Sequence, residues 1–441
     1  MRAGSSRVEI TPPKGIPMGG YIERTEPAEG VHDPLFARAL VLDDGTQRVA
    51  VVTADLMAIQ PSVAAEVRRR IEQEAGIPAS HALIALSHTH SGPLTARRRV
   101  NTPDALYLEE VQQKLVAVAC AAAQKLRPAR IGAGRAKVYL GVNCRMRAED
   151  GRIVVGKNPA GYASPFTRIL VVAEEGGGPI AVLFTYGAHP VVLGPDNLQI
   201  SGDYPGYAER VVEENFGDKA VALFALGFAG NVDANHEERD FEEVETFGTA
   251  LGRAVIEEMK AIPLAAGLPL QARSVRVPLP LEPPPSVEEA QRMLFAERER
   301  LANILGRGEE KCEINRRRMM VEWASQLLQV AAQPQSEHAA ELELQAVTIG
   351  RTALVALSAE VFAEYGKFLQ EVSPFEQTLA ISNANGSIGY LPTAAAFAEG
   401  GYAVETAPRL FGPLRFRPDI EPIIRQAIAS LLTDMAAPRG L

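Results

Sequence analysis

Two histidines separated by a single threonine are the residues whose types and spacing point most directly to chemistry. His88 and His90 follow an apolar run at residues 82–86, which has the length of a buried strand. If the backbone stays extended beyond that strand, side chains alternate between faces, so both imidazoles point the same way. Imidazole is a common metal ligand, and open α/β sheets place ligands at the carboxyl ends of strands. The pair is therefore a candidate metal site, and a hydrogen-bonded pair of strand histidines is the structural alternative.

Three further polar residues stand at strand ends or in loops. His189 follows a predicted strand at residues 180–186, Glu360 follows another at residues 353–357, and Tyr390 lies in a loop that contains glycine. Catalytic zinc sites commonly combine three nitrogen or oxygen ligands with an open position, whereas structural zinc sites prefer cysteines. These residue types predict a catalytic rather than a structural metal.

Composition limits the class of protein. The 441 residues carry a formal net charge of -9, which argues against nucleic acid or an anionic membrane surface as an obligate partner. No uninterrupted apolar stretch approaches the roughly 20 residues of a membrane span. The three cysteines are scattered and odd in number, and the first residues lack the apolar core of a signal peptide. We therefore expect a cytoplasmic protein without a membrane span.

The elements that must position these side chains alternate between strands and helices. Strands are predicted at residues 49–53, 82–86, 130–142, 168–173, 180–186 and 220–229, and helices at residues 61–75, 104–126, 203–215 and 243–261. This alternation is typical of an α/β fold, and we expect a mixed sheet with helices on both faces.

A proline-rich break at residues 278–285 separates this region from the rest of the chain. Residues 287–330 show helical spacing and predict a helical pair or lid, and further strands and helices follow at residues 342–349, 352–359, 361–371, 378–382 and 420–433. We predict a single catalytic unit over residues 1–441, with a mostly helical insertion or lid at about residues 284–335.

Short motifs occur along the chain in a fixed order. They are Gly30-Val31-His32-Asp33 with Ala37-Arg38-Ala39, His88-Thr89-His90-Ser91-Gly92-Pro93, Ala188-His189-Pro190 with Ser201-Gly202-Asp203, Ser358-Ala359-Glu360-Val361-Phe362, and Gly389-Tyr390-Leu391-Pro392-Thr393 with Tyr402. Together they resemble the signature segments of the neutral, non-lysosomal ceramidases, which are zinc amidases that cleave the N-acyl bond of ceramide. The resemblance implies the catalytic-domain fold of that family and a small-molecule or lipid-like amide as substrate.

The resemblance also implies roles for individual residues. The zinc ligands would be His88, His189, Glu360 and Tyr390, and the residues around the scissile amide would be His90, Arg145 and Tyr402. A bound zinc ion would activate a water molecule and polarise the carbonyl oxygen. His90 would then move protons or stabilise the oxyanion, and Tyr402 could donate a hydrogen bond to it.

Two departures from the family pattern concern the substrate. Asp233 occupies the position of a serine in the family's G-D-V-S-P-N loop, so a seryl-enzyme route through that loop is excluded. Arg97, Arg98 and Arg99 replace small residues after the histidine motif. They either form a solvated loop or select an anionic substrate. A zinc hydrolase of a non-lipid, possibly anionic amide, ester or sugar-linked compound is therefore the alternative function, followed by a non-catalytic binding protein.

Supporting residues are predicted as well. His32, Asp33 and Arg38 are expected to fix a loop rather than to act in catalysis. Asp55 stands at a strand end and could orient a histidine ligand or cap the following helix.

Overall fold

A computed structural model describes residues 1–97, 99–217, 219–333 and 337–437. Arg98 and the last residues of the predicted lid segment therefore lie outside the described residues. The strands are β1 (Arg2–Glu9), β2 (Gly30–Val31), β3 (Phe36–Asp43), β4 (Arg48–Ala54), β5 (Ala82–Leu86), β6 (Arg127–Lys137), β7 (Gly141–Arg147), β8 (Ile153–Asn158), β9 (Phe166–Glu174), β10 (Pro179–Tyr186), β11 (Gln199–Ile200), β12 (Val221–Leu226), β13 (Val232–Ala234), β14 (Leu270–Pro280), β15 (Ala339–Ile349), β16 (Thr352–Leu357), β17 (Glu360–Val361), β18 (Gln377–Ile381) and β19 (Tyr390–Leu391). The helices are α1 (Pro61–Ala75), α2 (Ala105–Gln124), α3 (Asp203–Asn215), α4 (Phe241–Met259), α5 (Val287–Arg307), α6 (Lys311–Ala331), α7 (Ala363–Val372), α8 (Ala394–Glu399), α9 (Pro408–Phe411) and α10 (Ile420–Ala436).

The larger sheet is mixed, as the sequence predicts. Its strand order is β12-β10-β9-β6-β1-β3-β4-β5, and the pairs β4/β5 and β10/β12 are parallel while the other neighbours are antiparallel. Parallel neighbours need a crossover connection, which α1 and α3 supply. His88 follows β5 and His189 follows β10, so each comes after a strand of a parallel pair.

A second sheet provides the other half of the site. Its order is β14-β15-β16-β18, and only β16 and β18 run parallel among these neighbours. Beyond β16 the chain forms the short strand β17, which pairs in parallel with β19 and places Glu360 directly opposite Tyr390. Two residues that are 30 positions apart in sequence thereby become neighbours through backbone pairing.

The two sheets share one core. Leu40 and Val51 of the larger sheet pack in the same buried cluster as Val347 and Leu379 of the second sheet, and all four are inaccessible to solvent. Burial of each such side chain contributes about 1.5–3 kcal/mol. Helices α1 and α2 cover the outer face around β1, β3 and β4, α3 and α4 cover the β9/β12 region, and α7 and α10 cover the second sheet. The mixed α/β class is confirmed, and the second sheet occupies space on the inner side of the larger one.

Several predicted elements have different boundaries in the structure. The predicted strand at residues 130–142 is two strands, β6 and β7, joined at residues 138–140, and β7 continues to Arg147 to pair with β8. The predicted helical pair is present as α5 and α6. Helix α5 begins after Ser286, whose side chain accepts a hydrogen bond from the Glu289 amide, and ends at Gly308 with φ of 69°. Its function as a lid, and the single-unit organisation, stay predictions.

Candidate metal centre

His88 marks the point where the chain leaves β5 and turns. Its φ is 66°, a left-handed conformation that is uncommon for residues other than glycine. The assumption of an extended backbone through His88 and His90 is therefore wrong, although the two rings do meet, with centroids 5.0 Å apart. The His88 Nδ1 donates a hydrogen bond to the Met57 carbonyl at 2.6 Å. That bond leaves Nε2 directed at Glu360, at 3.7 Å from Oε2.

His189 reaches the same carboxylate from the other side. Its Nδ1 donates to the Ala229 carbonyl at 2.8 Å, and its Nε2 lies 3.3 Å from Glu360 Oε2. Backbone carbonyls thus fix the ring orientation of both histidines, as is usual for metal-bound imidazoles, and leave the other nitrogen for a ligand.

Glu360 is the buried carboxylate on which the two histidines converge. Burial alone would raise the pKa of Glu360, but the hydrogen bond from His189 and the charges of His88 and His189 lower it to about 2. Tyr390 also forms a hydrogen bond with this carboxylate, and burial and the charge of Glu360 raise the pKa of Tyr390 well above its ordinary value. Glu360 is therefore ionised at neutral pH while shielded from water, which suits it to hold a cation.

His90 is the third imidazole of the cluster. Its ring centroid lies 5.7 Å from that of His189, and both of its ring nitrogens are buried without a hydrogen-bond partner among the described residues. The ligand atoms of His88, His90 and His189 all lie within 4.8 Å of one another and could hold a metal ion. Buried nitrogens without partners are costly unless a ligand binds them. The three imidazoles and the Glu360 carboxylate therefore fit a transition metal such as zinc, which binds nitrogen and oxygen ligands.

Arg145 and Tyr402 complete the set of predicted site residues. Arg145 extends from β7, donates to Glu399 Oε2 at 3.0 Å, and lies with its guanidinium carbon 5.7 Å from the Phe362 ring centre. Tyr402 begins a π-helical turn, and its ring centre is 5.9 Å from that of Tyr390. The structure therefore brings all seven predicted residues to one region, while their individual roles stay predictions.

Two adjoining cavities of about 370 Å³ and 90 Å³ open onto this cluster. The larger one has an apolar wall formed by residues 153–155 and a polar wall that includes Asp233, His236 and Arg239. Each of the seven predicted site residues borders at least one of the two cavities. A site of this size and mixed lining accepts a molecule, or part of one, with a polar and an apolar side.

Sequence reasoning missed several residues of the cavity. Tyr21 borders both cavities, and its ring centre lies 5.2 Å from that of His90. Its neighbour Gly20 has φ of 104°, and a side-chain carbon there would lie 2.6 Å from the His90 carbonyl. The adjacent glycines Gly19 and Gly20 are a usable sequence signal for this close approach, whereas Tyr21 and Arg239 have no distinctive spacing.

Two expectations about supporting residues need correction. Asp55 neither orients a histidine nor caps α1, because its Oδ2 accepts hydrogen bonds from the Phe36 amide and the Arg38 guanidinium. Asp55 is instead part of a buried ion-pair network.

The described residues of the arginine run, Arg97 and Arg99, lie away from the cavities. Arg97 is exposed and faces Glu322 at 3.5 Å, and Arg99 donates to the carbonyls of Arg409 and Gly412. Neither arginine borders the two cavities. The selection of an anionic substrate by these two side chains therefore lacks structural support, and Arg98 lies outside the described residues.

Fold and site together define a mixed α/β protein with a candidate metal centre built at strand ends. The chain belongs to the neutral/alkaline non-lysosomal ceramidase family, because the model of the N-terminal part of that family matches residues 1–243.

Individual relatives agree with this assignment. The chain is 26% identical over 234 residues to a neutral ceramidase of Oryza sativa subsp. japonica, an alignment that covers 48% of this chain and 28% of that protein. It is 34% identical over 96 residues to a neutral ceramidase of Drosophila melanogaster, covering 21% of this chain and 14% of that protein. The matches thus span less than a third of the length of these relatives.

Solved structures show the same fold over nearly the whole chain. The crystal structure of neutral ceramidase from Pseudomonas aeruginosa matches with a TM-score of 0.72 at 20% identity, covering 99% of this chain and 74% of that one. A structure described as ceramidase complexed with C2 also matches with a TM-score of 0.72, at 17% identity and with the same coverage. Among the helices of the described residues, none combines the length and apolar character that crossing a membrane requires.

Proposed function

We propose that this protein is a zinc-dependent hydrolase that cleaves a linear amide by means of a metal-activated water. One observation carries the proposal: the Nε2 atoms of His88 and His189 converge on the buried Glu360 carboxylate, at 3.7 Å and 3.3 Å, while backbone carbonyls hold their Nδ1 atoms. His88, His189, Glu360 and Tyr390 would hold the metal. A zinc ion bound there supplies a water of lowered pKa and a Lewis acid for the carbonyl oxygen.

The residues beside this centre would handle protons and charge. His90 has two ring nitrogens without a partner among the described residues, and burial and the neighbouring histidines lower its pKa well below the ordinary value. A neutral imidazole of this kind can accept a proton from the attacking water and return it to the leaving amine. Tyr402 borders both cavities and would donate a hydrogen bond to the developing oxyanion. Arg145, held by Glu399, would position the substrate.

The N-acyl bond of a ceramide-like lipid is the first candidate substrate. Family membership supports it, and the apolar wall at residues 153–155 offers a surface for an acyl chain. We further propose that α5 and α6 act as a lid, since Met319 of α6 borders the smaller cavity. The protein would then act as one catalytic unit.

A smaller amide or ester with a polar head is the second candidate. The larger cavity measures about 370 Å³, near the lower end of the range for small-molecule sites, and Asp233, His236 and Arg239 line one of its walls. A long two-chain lipid would leave part of its apolar surface outside a cavity of this volume. The polar wall therefore favours a shorter substrate that carries hydroxyl or charged groups.

Metal content and hydrolysis should be measured on the same preparations. We expect about one zinc per chain in the wild-type protein, loss of activity after chelation, and recovery on addition of zinc. His189→Ala should lose both the metal and the activity, while His81→Ala, a histidine in the Ala79–His81 turn, should retain both. A wild-type protein that is free of metal and fully active would contradict the proposal.

A substrate panel separates the two candidates and the binding-protein alternative. Turnover of long-chain N-acylsphingosines supports the ceramide-like substrate, and turnover of only short or polar amides and esters supports the smaller one. A protein that binds zinc but hydrolyses nothing in the panel would favour a binding function.

A further inference from the structure

A third cavity, separate from the two that open onto the metal cluster, borders Gly187 in the segment between β10 and His189. It measures about 280 Å³ and lies between the larger sheet and α7. Its lining includes Arg135, Arg168 and Lys367, together with the hydroxyl residues Tyr162 and Ser164. Its charge is therefore mainly positive.

The two arginines are forced together by strand pairing. Arg135 of β6 is the register partner of Arg168 of β9, and Arg168 in turn is opposite Thr185 of β10. Residues directly opposite each other in a sheet point to the same face, so both guanidinium groups project toward the cavity. Like charges at opposed positions destabilise a sheet unless something balances them.

No protein carboxylate balances this pair in the described residues. Among the described residues, no carboxylate oxygen lies within 4.0 Å of either guanidinium group. Glu371 also borders the cavity, but it forms no ion pair with them. Arg168 donates one hydrogen bond, to Gln377 Oε1 at 3.2 Å, and both guanidinium carbons lie near the Phe166 ring, at 4.7 Å for Arg135 and 5.7 Å for Arg168. These contacts hold the arginines in place without an ion pair, and Arg168 is half-buried while Arg135 is exposed to solvent.

Burial makes the position of Arg168 costly. Burial, followed by the charge of Arg135, lowers the pKa of Arg168 to about 10. A guanidinium group offers five N–H donors in a fixed fork, and two adjacent forks match the oxygens of a tetrahedral oxyanion.

We propose that this cavity is a binding site for a phosphate group, held by Arg135 and Arg168. The phosphate is either a free oxyanion or part of a lipid headgroup, and both share the same recognition chemistry. Lys367 adds a third positive charge at the rim, and the Tyr162 and Ser164 hydroxyls lie in the same lining. The site is independent of the hydrolytic centre, and its ligand does not have to be the substrate.

Titration with inorganic phosphate tests the site directly. It should be done by calorimetry, on protein stripped of metal, so that phosphate bound at the metal centre cannot contribute. We expect saturable binding by the wild-type protein, and an affinity at least about tenfold weaker for Arg135→Gln and for Arg168→Gln, because each loses a charge-assisted contact. Arg273→Gln is the matched control, since Arg273 is an exposed strand arginine paired with Asp434, and should bind like the wild type.

Thermal unfolding gives a second readout that does not depend on calorimetric heats. Without phosphate, Arg135→Gln should unfold at the same temperature as the wild type or higher, because it removes a like-charge pair. With phosphate, the wild type should gain stability and this variant should not.

Vesicles distinguish the two sources of the phosphate. Arginine-dependent co-sedimentation with phosphatidylglycerol vesicles, but not with phosphatidylcholine vesicles, assigns the site to a lipid headgroup, and phosphate binding without co-sedimentation assigns it to a soluble ligand. The proposal is overturned if neither phosphate nor the anionic vesicles bind, or if the binding is unchanged in Arg135→Gln and Arg168→Gln.

Discussion

At the scale of single residues, the structure gives different environments to two histidines that look alike in the sequence. His88 adopts a left-handed backbone conformation and has one nitrogen bound to a carbonyl, whereas both nitrogens of His90 lack a partner in the described part of the chain. Such strained conformations at a non-glycine residue cost about 1–3 kcal/mol and persist where the surroundings hold them. In this conformation the His88 Nε2 lies 3.7 Å from Glu360 Oε2. The fixed Nδ1 of His88 supports a ligand role for that residue. Proton transfer by His90 stays a prediction, which substitution can separate from metal binding.

Glutamine substitutions test this division of roles. His88→Gln should lose stoichiometric zinc together with activity. His90→Gln should keep about one zinc per chain while kcat falls by about 10²–10⁴, the usual contribution of a general acid or base. Metal analysis and steady-state kinetics on the same samples check both expectations, with His81→Gln as the control. If His90→Gln also loses its zinc, His90 is a ligand and the assignment is wrong.

At the scale of elements, one buried arginine joins three parts of the fold. Arg38 of β3 contacts Asp55 after β4 at 3.0 Å, and Glu209 and Glu213 of α3 at 2.8 Å and 3.4 Å. All four residues are nearly inaccessible to solvent. The charges of Glu209, Asp55 and Glu213 outweigh burial and raise the pKa of Arg38. Arg38 is thus the cation that all three carboxylates share, and Arg7 pairs with Glu213 in addition.

Replacement of this arginine should destabilise the fold strongly. Arg38→Met leaves three buried carboxylates without their shared cation, and we expect the free energy of unfolding to fall by about 3–5 kcal/mol. Arg48→Met removes the partly exposed pair between Arg48 of β4 and Asp43 of β3, and should cost about 0–1 kcal/mol. Urea unfolding monitored by circular dichroism measures both values, and equal losses for the two variants would refute the expectation.

The elements also show what sequence patterns can and cannot predict. Helix α3 is predicted at its observed bounds, since its start and its apolar spacing are both visible in the sequence. Strand β14 is missed because Pro278 and Pro280 suggest a break, yet β14 lies at the edge of its sheet, where prolines are tolerated. The break between β6 and β7 is missed because residues 138–140 continue the apolar pattern. Periodicity reports local burial, and it carries no information on which edge of a sheet a strand will occupy.

At the scale of the whole molecule, the candidate site draws on segments from residue 18 to residue 411. The motifs predict which residues meet, because the resemblance relates distant segments to one another. They do not predict Tyr21 or Arg239, whose positions depend on how loops pack after both sheets have joined. The same applies to Arg99, which the sequence places in a possible substrate-selecting run. In the structure it connects the histidine loop to the helical pair.

Arg99 should control how tightly that helical pair is held. Its side chain donates to the Arg409 and Gly412 carbonyls, each at 2.7 Å, and to Gln326 of α6, and only 5% of its surface is exposed. Arg99→Met removes these donors, and hydrogen bonds to a charged group contribute about 1.5–3 kcal/mol. Amide exchange in α6 and α9 should therefore accelerate by about 10- to 100-fold, while exchange in α3 stays unchanged.

Arg97→Met is the matched control for this measurement, since Arg97 is exposed, and it should leave exchange in α6 at the wild-type rate. Hydrogen exchange followed by mass spectrometry resolves these segments. A rise of equal size in α3 would indicate global destabilisation, and no rise in α6 would show that other contacts hold the helical pair. Either result would contradict a local connection through Arg99. If the connection is confirmed, opening of the helical pair can be varied without changing any residue that borders the metal cluster.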